Sequence, residues 1–393
     1  MQLLHVTASL TAEWGGPPRV VAALTEALGR RDIRCAIFTP IHSQTRQLII
    51  QPGGTEVCVF PCGWLARWWT GYSPALNAAL LERVREFDVI HVHEFWHYPH
   101  FAGCRAAMRW NKPYVITIHG GLQPWALNHK SIRKRVYMKL VQRRILERAS
   151  AVHAVTGTEI HHLQRLGLGS RVTLIPNGID AREFQCLPPR REFEERYPEV
   201  AGKPIILFLG RIHPIKGLDL LARAFGRLAR ERTNVRLVIA GPDANGHRVK
   251  VEGILAAEGA RDLTIFPGML HGREKLAALA RADVLVLPSR SEIRSIVALE
   301  AMACRVPVVL TRQCDFPEVA EANAGEIVEP EPGQLAEALK GLLDNPDLRR
   351  RMGENGRRMV LERYTWDQIA DEMAALYEMV LGRSSPPRPV GAA

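Results

Sequence analysis

The chain has 393 residues, 47% hydrophobic and 24% charged, with a formal charge of +11 at neutral pH. Its length exceeds one ordinary core and fits two domains, and its composition excludes a disordered or fibrous chain. No apolar run approaches the roughly 18 to 20 residues that span a bilayer, and the opening MQLLHVTASLTA, interrupted by His5 and Thr7, is expected to be neither a span nor a signal peptide.

Apolar runs of strand length alternate with amphipathic stretches of helix length, the pattern of parallel sheets with helical crossovers. In the first half, strands are expected near Leu3 to Ala8, Arg34 to Thr39, Val57 to Pro61, Val89 to His93, Tyr114 to His119, Ala151 to Val155 and Val172 to Ile175. After the first strand, GGPPRVV begins at Gly15, and Gly16 with Pro17 and Pro18 prepares a turn and a helix start whose amides are open to a ligand. GWLARWWTGYS, from Gly63, sets Trp64, Trp68, Trp69 and Tyr72 in a loop or short helix. Exposed, as expected here, they dock at a membrane interface or stack on a sugar; buried, they are core.

YVITIHGG ends a strand at His119, where strand-end side chains line a site; a lone histidine is otherwise commonly structural. Then come Pro124, Trp125 and Leu127, followed by a basic stretch. Lys130 to Arg148 holds eight Lys or Arg against one Glu. Tyr137, Val141 and Ile145 form an apolar row on that helix, and Arg135, Lys139 and Arg143 a basic one. Such a face suits an anionic membrane surface, a solvated exterior or nucleic acid; no nucleic-acid motif accompanies it, and the membrane reading is preferred.

Arg182 to Pro204, with Pro188, Pro189 and Pro198 among dense charges, has the composition of a linker. Beyond it strands are expected near Ile205 to Leu209, Arg236 to Ala240, Leu263 to Phe266, Val284 to Leu287 and Val306 to Leu310. The fold class is therefore α/β, with two Rossmann-like doubly wound domains. They cover 1–183 and 184–365, a helix over 366–381 packs back on the first, and 384–393 forms a disordered tail. Open sheets of this kind bind ligands at the carboxyl ends of their strands, and a cleft between the domains is expected. The seven scattered cysteines lack a Cys-x-x-Cys pair, which favours free thiols in a reducing compartment over zinc ligation by Cys58 and Cys62.

Two segments carry chemistry. GRIHPIKG follows the strand at Leu209: Gly210 and Gly217 bracket a tight turn, and Arg211 and Lys216 place two cations beside a helix N-terminus, an anion site suited to a diphosphate. A solvated basic loop is the bland alternative. PSRSEIRSIVALEAMACRVPVV follows Leu287 and holds Glu292 and Glu300 eight apart. Ser295 is positioned to cap a helix, and the amides from Arg294 through Ser295 and Ile296 to Val297 are available to ligand oxygens. Carboxylates accept from sugar hydroxyls, although a Glu pair is commonly surface charge.

Together these segments resemble the family 4 glycosyltransferases of the GT-B fold, marked by Gly-Arg-x-x-x-x-Lys-Gly and Glu-x7-Glu. VIAGPD from Val238, ADVLVLPS from Ala282, IPNGID from Ile175 and GGPPRVV extend the resemblance over nearly the whole chain. It implies that Arg211 and Lys216 bind the donor diphosphate, Glu300 the ribose and Glu292 the transferred sugar. The base lies against Pro267, Gly268 and Met269, and Gly15, Gly16 and His119 serve the donor from the first domain. It also implies retention of configuration without a protein nucleophile or a metal, in keeping with the lack of Asp-x-Asp. The sequence departs from the family pattern at Arg294 and Ser295, where Phe-Gly is common, and at Arg305, where glycine is usual; Arg294 is an added contact for an acidic sugar.

The expected activity is transfer of a hexose from a nucleoside-diphosphate sugar to a glycan or lipid-linked acceptor. It belongs to cell-surface polysaccharide synthesis, in a cytoplasmic protein peripheral on the inner membrane face. A nucleotide-sugar 2-epimerase and a non-catalytic nucleotide-sugar-binding homologue are the alternatives.

Overall fold

The computed structural model describes residues 1–11, 14–41, 50–123, 134, 136–168, 171–243 and 246–383. It divides into two compact units, Met1–Gly178 with Trp366–Ala393, and Ile179–Thr365. In the first unit β1 (Gln2–Val6), β2 (Arg34–Ile41), β3 (Glu56–Pro61), β4 (Val89–His93), β5 (Tyr114–Thr117), β6 (Ala151–Ala154) and β7 (Val172–Leu174) form one sheet. Its order is β3-β2-β1-β4-β5-β6-β7 and every pairing is parallel.

The second unit repeats the plan with β8 (Ile205–Leu209), β9 (Arg236–Ala240), β10 (Thr264–Gly268), β11 (Val284–Leu287), β12 (Val308–Thr311) and β13 (Gly325–Val328). The order is β10-β9-β8-β11-β12-β13, again parallel. In each sheet the chain builds outward from its first strand, then crosses to that strand's other side. Loops leaving β1 and β4, and those leaving β8 and β11, therefore part in opposite directions and open a crevice. The two Rossmann-like halves expected from the sequence are present.

Burial explains the strand composition. IILFL of β8 is buried throughout because helices cover both faces of a parallel strand. The helix Leu218–Glu231 buries Leu218, Leu221, Phe225 and Leu228, three or four residues apart, against that sheet. Full burial of each such side chain stabilises by about 1.5–3 kcal/mol. The C-terminal helix Trp366–Val380 buries Trp366, Ile369, Ala370, Met373 and Tyr377 and packs on the helix Gly16–Gly29 of the first unit. Two arginines following that first helix reinforce the seam: Arg30 bonds Asp367 at 2.9 Å, and Arg31 pairs with Asp371.

Several elements differ from expectation. The segment 182–204 is no linker: Phe184, Phe193 and Val200 are buried in the second unit's core, with Phe193 on the helix Arg190–Arg196. Pro189 stands at the start of that helix and Pro198 opens the 3-10 turn Pro198–Val200, so these prolines punctuate short helices without detaching the chain. β5 ends at Thr117 because His119 and Gly120 turn left-handed, with φ of 47° and 74°. β13 went unforeseen, since GEIV is a half-buried edge strand too short to show a period. The tail 384–393 lies outside the described residues. No helix among the described residues is long and apolar enough to cross a membrane. The seven thiols are free, and Cys35, Cys104, Cys304 and Cys314 are buried.

Candidate active site

β8 delivers the chain into GRIHPIKG. Pro214–Lys216 forms a single 3-10 turn started by His213, whose Nδ1 accepts from the Ile215 N–H at 3.2 Å. Gly217 follows with a left-handed φ of 66°, and a Cβ there would meet the Pro288 carbonyl oxygen at 2.0 Å. Glycine is thus required both by the dihedral and by the approach of the loop leaving β11. That approach joins Lys216 to Glu292 in a direct ion pair, with side chains only 16% and 17% exposed. Arg211 is exposed and has no side-chain partner among the described residues.

Arg290 holds this arrangement together and was not singled out from the sequence. Its guanidinium donates to both Asp219 oxygens at 2.7 Å and to the Pro214 carbonyl at 3.0 Å. Its backbone N–H also donates to the Ile215 carbonyl at 2.7 Å. A bidentate pair is the stiffest link available to an arginine, so the loop bearing Glu292 and the turn bearing Lys216 are tied at their base.

Glu300 lies in the helix Ile296–Ala303, 8% exposed, and Lys275 Nζ donates to it at 2.7 Å. Ser295 stands at the N-cap as expected, but its hydroxyl makes no capping bond. The Ile296 and Val297 amides, which have no carbonyl one turn earlier in the helix, therefore receive no cap from it.

Arg294 does not offer its side chain to a sugar. It is 3% exposed; its guanidinium donates to Glu318 at 2.7 Å and to the Tyr364 hydroxyl at 3.0 Å, and lies 4.8 Å from the centre of the Phe316 ring. A planar cation stacks on aromatic faces, and here it fills an aromatic slot. Arg305 adopts φ 62°, the left-handed conformation that glycine takes most cheaply, and its side chain turns to Glu354 at 2.9 Å.

Three glycines close adjacent strand ends: Gly210 after β8, Gly241 after β9 and Gly268 at the end of β10. The Gly241 N–H donates to the Gly268 carbonyl at 2.7 Å, and a Cβ on Gly241 would meet the Gly210 carbonyl at 1.9 Å. The backbones touch, so position 241 has no room for a side chain. Pro267 precedes this surface and Met269, 40% exposed, follows it.

In the first unit Gly15, φ 101°, leads into the helix Gly16–Gly29, with prolines in its first turn. Glu94, at the end of β4, holds the approach to that turn: it accepts from the Ala8 N–H at 2.7 Å and from Trp14 Nε1 at 2.8 Å. Burial pushes this carboxyl up to about 7, against the pull of its two donors. Glu94 also went unforeseen. His119 is half-exposed, and its loop is fixed by Glu159, which accepts from Gly120 N–H at 2.5 Å and Val155 N–H at 2.8 Å.

Beneath His119 lies a row of buried histidines, and one hydrogen-bond chain through it has a fixed polarity. The Ile175 carbonyl only accepts, so His153 Nε2, 2.7 Å away, carries a proton and His153 Nδ1 accepts from Thr117. Thr117 in turn accepts from His91 Nε2 at 2.6 Å, leaving His91 Nδ1 to accept from the Tyr377 hydroxyl at 2.7 Å. This assignment holds for neutral rings, which have one donor and one acceptor; burial drives His91 and His153 well below the usual histidine range.

The residues expected at an acceptor or membrane surface separate. Trp68 is 68% exposed and Trp64 is 72% exposed. Trp69 is instead packed edge-on to Tyr98 and against Phe101, donating to the Trp96 carbonyl at 3.3 Å. Its indole completes an aromatic cluster, which corrects the expectation of exposure. Lys139 and Arg143 are exposed, and Leu140 between them is 71% exposed. Met138–Gln142 is a π turn before the helix Arg143–Arg148, and Tyr137 just ahead of it meets Trp69 edge-on at 5.9 Å. Trp125 and Arg135 lie outside the described residues.

Comparison with known proteins agrees with this geometry. Residues 14–183 match the family model described as Glycosyltransferase Family 4, and residues 189–359 match that described as Glycosyl transferases group 1. The chain is 31% identical over 337 residues to a D-inositol 3-phosphate glycosyltransferase of Streptomyces avermitilis, covering 82% of this chain and 69% of that one. Identity to the Kineococcus radiotolerans protein of the same name is 27% over 398 residues, covering 93% and 91%. Among solved structures, HepE of Anabaena, in complex with UDP and glucose, superposes with a TM-score of 0.76 at 19% identity, covering 95% of this chain and 98% of that one. The chain belongs to the family 4 glycosyltransferases, with the GT-B fold.

Proposed function

We propose that this glycosyltransferase is a retaining hexosyltransferase. It moves a hexose from a nucleoside-diphosphate sugar to a lipid-linked glycan acceptor during cell-surface polysaccharide assembly. The observation that carries the reading is the Lys216–Glu292 pair at the β8–β11 crevice, with unpartnered Arg211 beside it. Arg211 and Lys216 take the diphosphate, Glu292 then turns to hydroxyls of the transferred sugar, and Glu300 accepts from the ribose. The glycine-ended strands leave backbone to meet the base between Pro267 and Met269.

In the transfer step the acceptor hydroxyl oxygen bonds to the anomeric carbon on the face from which the diphosphate departs. The carbon–oxygen bond to the β-phosphate breaks, and a phosphate oxygen takes the acceptor proton. Arg211 and Lys216 stabilise the charge that develops on the leaving group, which makes a nucleophilic side chain and a metal unnecessary. Exposed Trp64, Trp68 and Leu140 with Lys139 and Arg143 support docking of the first unit on an anionic membrane face. The protein thereby acts peripherally at the cytoplasmic side.

The test is release of nucleoside diphosphate from a panel of UDP-, GDP- and ADP-sugars, with and without membrane extract, with the product anomer read by NMR. Acceptor-dependent release with an α-linked product is expected. Epimer formation without an acceptor, or binding without turnover, would replace this reading.

A further inference from the structure

A second hydrogen-bond chain in the first unit runs through three imidazoles. His5 Nδ1 lies 3.0 Å from His93 Nε2, and His93 Nδ1 lies 3.2 Å from His119 Nε2. His5 and His93 are buried, and His119 is half-exposed at the outer end. The His119 Nδ1 has no partner among the described residues and is not a buried atom, so it is accessible to a ligand. His5 Nε2 at the inner end is buried without a partner among the described residues.

Unlike the chain that ends on Ile175, this one has no carbonyl among the described residues to fix its direction. Burial keeps the rings neutral, holding His5 and His119 down to about 3 and His93 well below the usual range. Each ring then has one N–H and one lone pair, and the protons align in one of two ways. Pointing inward, they leave an N–H on His5 Nε2 with no acceptor. Pointing outward, they leave only a lone pair there. A buried N–H without an acceptor is the rarer and costlier defect, so the outward polarity is favoured: His5 Nδ1–H donates to His93, and His93 Nδ1–H donates to His119 Nε2.

We propose that His5 and His93 are positioning residues that fix His119 as its Nδ1–H tautomer, so that the ring offers a hydrogen-bond donor to a hydroxyl oxygen of the transferred sugar. The role at the sugar rests on the donor reading above; the tautomer does not. Free imidazole side chains in water favour the opposite tautomer, with the proton on Nε2, so the proposal differs from the default. A sugar lacking that oxygen, or carrying a cation in its place, is disfavoured by a ring that donates and does not accept.

The ring nitrogens of His5, His91 and His93 also lie within 4.8 Å of one another, close enough to suggest a metal trio. His91, however, has both nitrogens engaged by Thr117 and Tyr377, and the facing nitrogens of His5 and His93 are engaged with each other. The arrangement is a proton-ordered chain, with no three lone pairs converging.

The experiment uses the full-length protein labelled with 15N-histidine, and reads tautomers from two-bond proton–nitrogen correlations, with His119→Asn identifying the His119 signals. Protonated Nδ1 and bare Nε2 are expected at both His93 and His119. A proton on Nε2 of His119, or stoichiometric zinc in the purified protein, overturns the proposal whether or not the protein transfers sugar. In His93→Phe, the His119 signals should move towards the Nε2–H form. The kcat/KM for nucleotide sugar should fall about tenfold, the worth of one hydrogen bond, with affinity for the nucleoside diphosphate unchanged. A changed tautomer with unchanged kcat/KM overturns the role at the sugar alone. Absence of transfer with every donor sinks the donor reading and leaves the tautomer result standing.

Discussion

The Tyr377 hydroxyl lies 2.7 Å from Nδ1 of His91, 286 residues earlier in the chain, and both side chains are fully buried. Because the chain through Thr117 and His153 ends on a carbonyl, Tyr377 is the donor and His91 has no alternative proton to offer. Tyr377→Phe keeps the ring packing and strands a lone pair. Stability should fall by about 1–3 kcal/mol, measured by urea denaturation with an unchanged m-value. An unaltered midpoint would show that the hydroxyl is not the partner of His91.

Buried histidines make the first unit sensitive to acid. The folded-state pKa values of His5, His91, His93, His97, His100, His119 and His153 are depressed by burial, to about 3 for His5 and His119 and about 4 for His97, His100 and His153. In the unfolded chain each titrates near 6.5. The unfolded state therefore binds more protons as pH falls below 6.5, and the stability these rings contribute is lost from there down towards 4 and 3. Glu94 has the opposite sign: its folded value is raised to about 7, so the folded state gains protons first and recovers part of the loss. Each ring loses roughly 1 kcal/mol between about pH 6.5 and 5.5 and Glu94 returns about 1, so the seven rings together give a net loss of several kcal/mol. Urea midpoints across that interval should drop steeply; a flat profile would mean that the rings are charged or exposed.

Lys216→Ala removes the cation paired with Glu292 at the crevice. Transfer should fall by about 10²–10³ in kcat, the usual effect of losing one group that stabilises developing charge. The fold should be retained, and the thermal midpoint is read beside kcat because Glu292 loses its cation in a largely buried pair. Glu300→Ala should weaken donor binding, read as a raised KM. Wild-type turnover in Lys216→Ala would remove the diphosphate assignment.

Arg294 and Arg305 bear on stability in opposite ways. Arg294→Ala empties the slot between Phe316 and Tyr364 and leaves Glu318 without its guanidinium; a loss of about 3 kcal/mol is expected. Arg294→Phe refills the slot and should recover part of it, as differential scanning fluorimetry would show; equal melting of both variants would contradict the stacking role.

Arg305→Gly relieves a side chain held at φ 62°. A gain of about 1 kcal/mol is expected from the left-handed dihedral alone, since the Glu354 pair it gives up is exposed and worth little. A lower melting temperature would show that the ion pair outweighs the strain.

The sequence exposed what is local. GRIHPIKG carries its own glycines and cations, and Glu292 and Glu300 lie one segment apart, so spacing alone drew attention to them. The strands beginning at Arg34, Val89, Ile205 and Val284 were readable because continuous apolar runs bounded them. Pairings between distant segments were not readable. Arg290 and Asp219 are 71 residues apart, and Lys275 and Glu300 are 25 apart on different helices. Nothing in the one-dimensional pattern says which of fourteen histidines share a face until β1 and β4 pair His5 with His91. Only the alternation of His91 and His93 on one strand carried a hint. Trp68 and Trp69 show the same limit: neighbours of one residue type, one exposed and one in the aromatic cluster.

The return of Trp366–Val380 to the first unit has a consequence for synthesis. The first 178 residues leave the ribosome with His91 short of its donor and with the helix Gly16–Gly29 uncovered, and Tyr377 follows 199 residues later. At ordinary elongation rates that interval is about 10–40 s. Throughout it the nascent amino-terminal half has an unfilled apolar groove, while residues 179–365 emerge and fold as a complete unit. Maturation therefore finishes in the reverse of the order of translation: the part made first is closed last, by the helix Trp366–Val380.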